Sequence, residues 1–221
     1  VGQLVELVTP LHKRTTRDYL ARMNDDKPHC MEVAREYGRE YWDGDRRYGY
    51  GGYHYIPGYW KPVAEQLITR YGLTNESRIL DVGCGKAHLL TEIKKLLPTC
   101  TVRGFDVSQY GINDCEPNVH GALSVGRAED VYLHPDKVFD LVLSINVLHN
   151  LKRHERARAL REIQRVGKNA YICVEAYRNA LEQFNLQCWA LTCWAFQTDE
   201  EWIHEYHEYG YTGDYEFIFF E

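Results

Sequence analysis

The sequence holds no Cys-x-x-Cys pair, no excess of positive charge, no apolar run long enough to cross a membrane and no low-complexity stretch or repeat. Each absence closes off a class. Seven cysteines without that spacing argue against zinc ribbons and thioredoxin-like redox centres, and for buried free thiols in a reducing cytoplasm. A net charge of −6 offers no basic footprint for a nucleic-acid backbone. No signal-peptide pattern and no spanning segment are read, so the expected location is cytoplasmic, with no membrane partner. Two phosphate-binding fingerprints fail as well. No Gly-Lys-Ser/Thr follows the glycines at 83 and 85, and a nicotinamide Gly-x-Gly-x-x-Gly would need glycine where His88 stands.

What remains is a chain of 221 residues with a hydrophobic content of 44%, enough for one sizeable core. Residues 79–82, Ile-Leu-Asp-Val, read as a buried parallel strand. It breaks at Gly83-Cys84-Gly85 and resumes as a helix with Leu89, Leu90, Ile93 and Leu97 on one face. Such a turn brings bare backbone N–H groups close to a ligand, as in doubly wound sheets that bind nucleotide-type cofactors. A second strand, 101–106, ends in Asp106, about 20 residues past the glycine turn, where a carboxylate can accept from both hydroxyls of a ribose. Further strands are expected at 122–125, 138–145, 169–175 and 215–220. Helices are expected at 11–23, 29–41, 61–71, 153–166 and 198–209, the last capped by Thr198 with acids in its first turn.

Leu80-Asp81-Val82-Gly83-Cys84-Gly85 resembles the first motif of class I S-adenosylmethionine (SAM) methyltransferases. The resemblance covers roughly residues 61–221 and rests on motifs in order. It implies that Asp81 places the methionine part of SAM, that Gly83, Cys84 and Gly85 make room for it, and that Asp106 and Val107 meet the ribose. Ala87 stands where the family usually has a third glycine, and is expected to narrow the loop slightly. Gly126-Arg127-Ala128-Glu129 is similar to the segment that lies along adenine, with Arg127 in place of the common aspartate, so that Ala128 backbone or the Glu129 carboxylate makes the contact. Phe139-Asp140-Leu141-Val142 looks like the fourth-strand motif, whose polar end at Ser144 and Asn146 faces the methyl group. The implied fold is α/β, a doubly wound, mostly parallel seven-stranded sheet whose final strands include antiparallel ones, and the implied cofactor is SAM, leaving as S-adenosylhomocysteine.

Residues 1–60 differ in composition and are read as a helical cap ending in a Tyr/Gly-rich lid at 42–60, ahead of a SAM-binding domain at 61–221. The bland alternative for 42–60 is a packed aromatic loop. As a lid, its Tyr48, Tyr50, Tyr53 and Tyr55 would meet a small polar acceptor, Arg46 and Arg47 would meet a carboxylate or phosphate handle, and Asp214 is a further contact. For general base, His149 leads because it follows the fourth strand and titrates near neutrality. His54 comes second, with Glu175 and Asp214 behind it. No metal is expected. The reading is a methyltransferase for a small polar metabolite, preferably a sugar-linked or natural-product hydroxyl. N-methylation of a small amine and a non-catalytic SAM-binding subunit are the alternatives. No nucleic-acid partner is expected, and a homodimer is left open.

Overall fold

The computed structural model describes residues 2–51 and 53–221. Four short helices come first: α1 (Thr9–His12), α2 (Tyr19–Asn24), α3 (Lys27–Ala34) and α4 (Arg39–Asp43). Then α5 (Lys61–Tyr71) leads into β1 (Arg78–Val82), α6 (His88–Leu96), β2 (Thr101–Asp106), α7 (Gln109–Asn113) and β3 (Leu123–Val125). The second half runs β4 (Phe139–Ile145), α8 (Arg153–Val166), β5 (Gly167–Glu175), α9 (Ala180–Trp189), α10 (Asp199–Glu208) and β6 (Asp214–Ile218). None of the helices described is long and apolar enough to cross a membrane.

The strands form one sheet in the order β3-β2-β1-β4-β5-β6, with every pairing parallel. A parallel sheet must be covered on both faces, and successive β1 side chains do feed opposite layers. Ile79 packs with Leu67, Leu90 and Ile93 under α5 and α6, while Leu80 and Val82 pack with Leu160, Ile163 and Trp202 under α8 and α10. Full burial of Leu160 or Ile163 stabilises by about 1.5–3 kcal/mol each. Local signals set the helix ends. Gly72 closes α5 at φ +60°, and Thr198 with Glu201 forms the capping box that starts α10.

Three expectations need correction. Among the described residues the sheet has six strands rather than seven. The closing strand runs parallel to β5, because α9 and α10 carry the chain back to re-enter the edge in the same direction, where a hairpin would have reversed it. The long helices expected at 11–23 and 29–41 are each broken. Asp18 starts α2 afresh by accepting from Ala21 N, and Tyr37, at φ +48°, separates α3 from α4.

The first residues are sewn to the sheet. Leu4 bridges Tyr215 of β6, and the buried Glu216 carboxylate accepts from the backbone N–H groups of Leu7 (2.6 Å), Val8 (3.0 Å) and Thr9 (2.5 Å) and from Tyr171 OH (2.5 Å).

Candidate active site

From β1 the chain winds to β2 and β3 on one side, and later to β4, β5 and β6 on the other. The crevice beyond the C-terminal strand ends at this switch is where open α/β sheets bind ligands. A cavity of about 850 Å³ lies there, between the strand ends and the N-terminal helices. Its floor is the β1–α6 turn. Gly83 (φ +76°) and Gly85 (φ +55°) occupy the left-handed region, and there is no room for a side chain at either. A Cβ on Gly83 would lie 2.2 Å from Val147 Cγ2, and one on Gly85 would lie 2.7 Å from the Trp42 ring. Ala87 also takes a left-handed φ, +58°, as the buried N-cap of α6. Its departure from glycine is therefore borne as backbone strain of about 1–2 kcal/mol.

Carboxylates and other polar side chains surround this turn. Asp81 is buried, lines the cavity and makes no side-chain hydrogen bond among the described residues; burial, with Asp106 nearby, pushes its carboxyl up to about 7. Asp106 accepts from Gly85 N (2.9 Å) and Ser108 N (2.8 Å), so the acid at the β2 tip also fixes the glycine loop. Burial raises its carboxyl too, against the pull of those N–H groups. Arg127 pairs with Glu129 on the far wall, beside Ala128 and Val107, while the Ala128 carbonyl accepts from Tyr132 OH. The Cys84 thiol is pushed well up by burial. Asn146, at the end of β4, sits at φ +58° on the cavity wall; Ser144 is buried inside the sheet layer and does not reach it.

His149 is buried and held on every side. Its carbonyl accepts from Trp194 N and Ala195 N, and its Nδ1 accepts from Glu175 N at 3.2 Å. With Nδ1 accepting, the ring proton sits on Nε2, which lies 3.5 Å from Glu175 Oε2. Burial lowers the imidazole to about 3, so this ring is neutral and already protonated on the nitrogen nearest Glu175. It suits positioning better than proton abstraction. Glu175 has the complementary character: buried on the cavity wall, raised by burial to about 7, with Oε2 lacking any hydrogen-bond partner. His54 lies at the rim with its side chain 85% exposed, 3.8 Å from Asp43.

The aromatic segment roofs this space, and hydrogen bonds hold it down. Trp42 Nε1 donates to Ser108 Oγ (2.7 Å) and Tyr37 O (3.1 Å), and Lys86 Nζ meets Asp43 at 2.8 Å. Tyr50 OH accepts from Leu191 N (2.8 Å), and Tyr53 OH donates to Tyr41 OH (3.0 Å). Arg46, Tyr50 and Tyr53 line the cavity. Other expected contacts fall outside it. Arg47 turns to Asp25 (2.7 Å), Tyr48 packs on His29, and Tyr55 bonds Glu92 and Lys95. Asp214 sits at the start of β6, at the opposite end of the sheet, where Arg70 (2.7 Å) and Tyr71 OH (2.9 Å) hold it. Reading the sequence missed Arg17, Arg35, Trp189 and Trp194, all of which line the cavity. Only the packing of the cap against the segment after β5 brings them there, and no local spacing announces it. Among the described residues no three His, Cys, Asp or Glu are grouped to hold a metal ion.

A parallel doubly wound sheet with a glycine turn, a buried carboxylate before it without a side-chain hydrogen bond and a second carboxylate at the next strand tip is what a class I SAM-binding domain would present. The residues fit that cofactor: Asp81 suits its cationic methionine end, Asp106 its ribose. Residues 80–174 match the family described as a methyltransferase domain. No curated protein matches the sequence. Among solved structures, a chain from the complex between the Haloferax volcanii Trm112 methyltransferase activator and a methyltransferase matches at 16% identity and TM-score 0.55, over 89% of this chain and 77% of that one. The YcgJ protein of Bacillus subtilis matches at 18% identity and TM-score 0.51, over 66% of each chain. The chain thus spans about two thirds of the YcgJ protein, and both likenesses are of fold. The domain is that of a SAM-dependent methyltransferase, and SAM is its cofactor.

Proposed function

We propose that the protein methylates a hydroxyl of a small polar metabolite, of the sugar-linked or natural-product kind, and that Glu175 takes the hydroxyl proton. The observation that carries this reading is the buried Glu175 carboxylate, which lines the same cavity as Asp81 and Asp106 and whose Oε2 has no hydrogen-bond partner, with His149 Nε2 3.5 Å away. When bound, SAM supplies an electrophilic methyl group. The chain's own residues do the rest. Asp81 and Asp106 hold the cofactor, the aromatic roof excludes water, and His149, fixed by Glu175 N, keeps the carboxylate in place. A positioned carboxylate near neutrality is well matched to hydroxyl deprotonation. An amine acceptor is disfavoured, because Arg17, Arg35 and Arg46 in the same cavity would repel an ammonium group. A non-catalytic role leaves the desolvated carboxylate without a purpose to offset its cost.

Turnover is read as S-adenosylhomocysteine release over a panel of sugars, phenols and amines. Glu175→Gln should lower kcat about 10²–10⁴-fold while SAM still binds. In the native protein kcat should fall as pH drops below about 7, where Glu175 takes up its proton, and level off above. Unchanged turnover in a folded Glu175→Gln protein removes Glu175 as the base.

A further inference from the structure

The cavity wall holds arginines without an ion pair among the described residues. Arg47, Arg70, Arg156 and Arg165 each face a carboxylate within 3 Å, as structural arginines usually do. Arg17 and Arg35 line the cavity and have no ion pair among the described residues. In each, Nε is shut off from solvent and lacks a hydrogen-bond acceptor. Arg17 directs Nη1 to the Thr15 (3.0 Å) and His12 (3.3 Å) carbonyls and Nη2 to the His12 carbonyl (3.3 Å), and lies 5.4 Å from the Trp189 ring and 5.4 Å from the Phe220 ring. Arg35 stacks over Trp194 at 4.2 Å, and Arg46 sits 5.7 Å from Trp189.

Stacking fixes each guanidinium plane; the Arg35 edge stays open as a donor face, and Arg17 keeps the donors that the His12 and Thr15 carbonyls do not take. A neutral acceptor would leave the charge of both guanidinium groups, and the Arg35 edge, without an anionic match. A carboxylate or a phosphate monoester matches a guanidinium fork with two parallel hydrogen bonds. We propose that the acceptor is such an anion, gripped at its charged end by Arg17 and Arg35 while its hydroxyl lies toward Glu175. The inference rests on the hydroxyl-methylation reading and adds the substrate's charge to it. Burial lowers the Arg17 guanidinium and Arg46 adds to that, while Tyr19 and the Glu175 carboxylate act the other way. Stacked arginines that merely cover tryptophan faces are the alternative, and they would show no preference among ligands of equal shape.

The test is a binding measurement and needs no turnover. Protein saturated with S-adenosylhomocysteine is titrated at fixed ionic strength with benzoate, with its neutral isostere benzamide, and with inorganic phosphate. Calorimetry is paired with tryptophan emission, since the arginines stack on Trp189 and Trp194. Benzoate or phosphate should bind with Kd of about 1 mM or tighter, at least about tenfold tighter than benzamide. The stronger of the two tells a carboxylate site from a phosphate site. Arg17→Gln and Arg35→Gln should each weaken the anion about tenfold, with S-adenosylhomocysteine affinity unchanged as the check on folding. Glu175→Gln, which removes the base, should leave anion binding intact or tighten it, so failure of the base assignment is separable from failure of this one. Binding of benzamide as tight as that of both anions, absence of any anion binding, or anion binding untouched in the Arg17→Gln/Arg35→Gln double variant overturns the proposal.

Discussion

Asp81 and His149 illustrate how much a residue's surroundings decide what it does. Asp81 was legible from the sequence, because an acid at the end of an apolar strand before a glycine turn has few other uses. Its protonation was not, since that depends on burial and on Asp106 across the turn. With its carboxyl near 7, free protein below that pH carries Asp81 largely protonated, while the cationic end of SAM favours the ionised form. SAM affinity should therefore rise with pH up to about 7, by at most about tenfold per unit, and level off above. Calorimetry at several pH values, in buffers of different ionisation enthalpy, would also record proton release on binding; Asp81→Asn should abolish both effects. A flat profile in the native protein would detach Asp81 from the cofactor. For His149 the position after the fourth strand was readable, but not the hydrogen bond from Glu175 N that fixes its tautomer. That bond joins residues 26 apart in the chain and exists only once β5 lies beside β4.

At the scale of elements, the cap and the glycine turn form one unit. The Trp42 ring occupies the space a side chain at Gly85 would need, and Lys86, next in sequence, is bound to Asp43 and Asp114. Gly85→Ala should destabilise the fold by about 1–2 kcal/mol through its left-handed φ. It should also speed amide exchange at residues 42–44, by pushing the indole off Ser108. Denaturant midpoints and hydrogen exchange measure the two separately, and unaltered exchange around Trp42 would mean the cap does not depend on the turn. Glycine signals such as 83 and 85 are readable because backbone shape alone requires them. The direction of β6 was not, because a pattern of apolar residues is the same read either way, and only the α9–α10 crossover decides it.

Across the whole molecule, Glu216 joins the two ends of the described chain. Its carboxylate satisfies three successive N–H groups at the start of the chain and one tyrosine of β5, all in a buried setting. Glu216→Ala would leave those donors without acceptors and should lower stability by about 3 kcal/mol, with Glu216→Gln losing less. Equilibrium unfolding in urea gives the number, and a loss below about 0.5 kcal/mol would show that water replaces the carboxylate at no penalty. The segment it fixes carries Val8, Leu11 and His12 of the cavity wall, with Arg17 a few residues on. None of this could be read from the sequence, where Glu216 is one charged residue in an aromatic strand.

That tether also sets an order of events during synthesis. Leu7 and Glu216 are separated by 209 positions, so the clasp cannot close until β6 has left the ribosome. Until then the β1–α6 turn can take shape from neighbouring sequence, while the wall that carries Arg17 has nothing to hold it. The nascent chain can thus form the glycine turn early and the Arg17 wall only after β6 has emerged, and in the interval the apolar stretch around Leu7, Val8 and Leu11 is a natural client for chaperones.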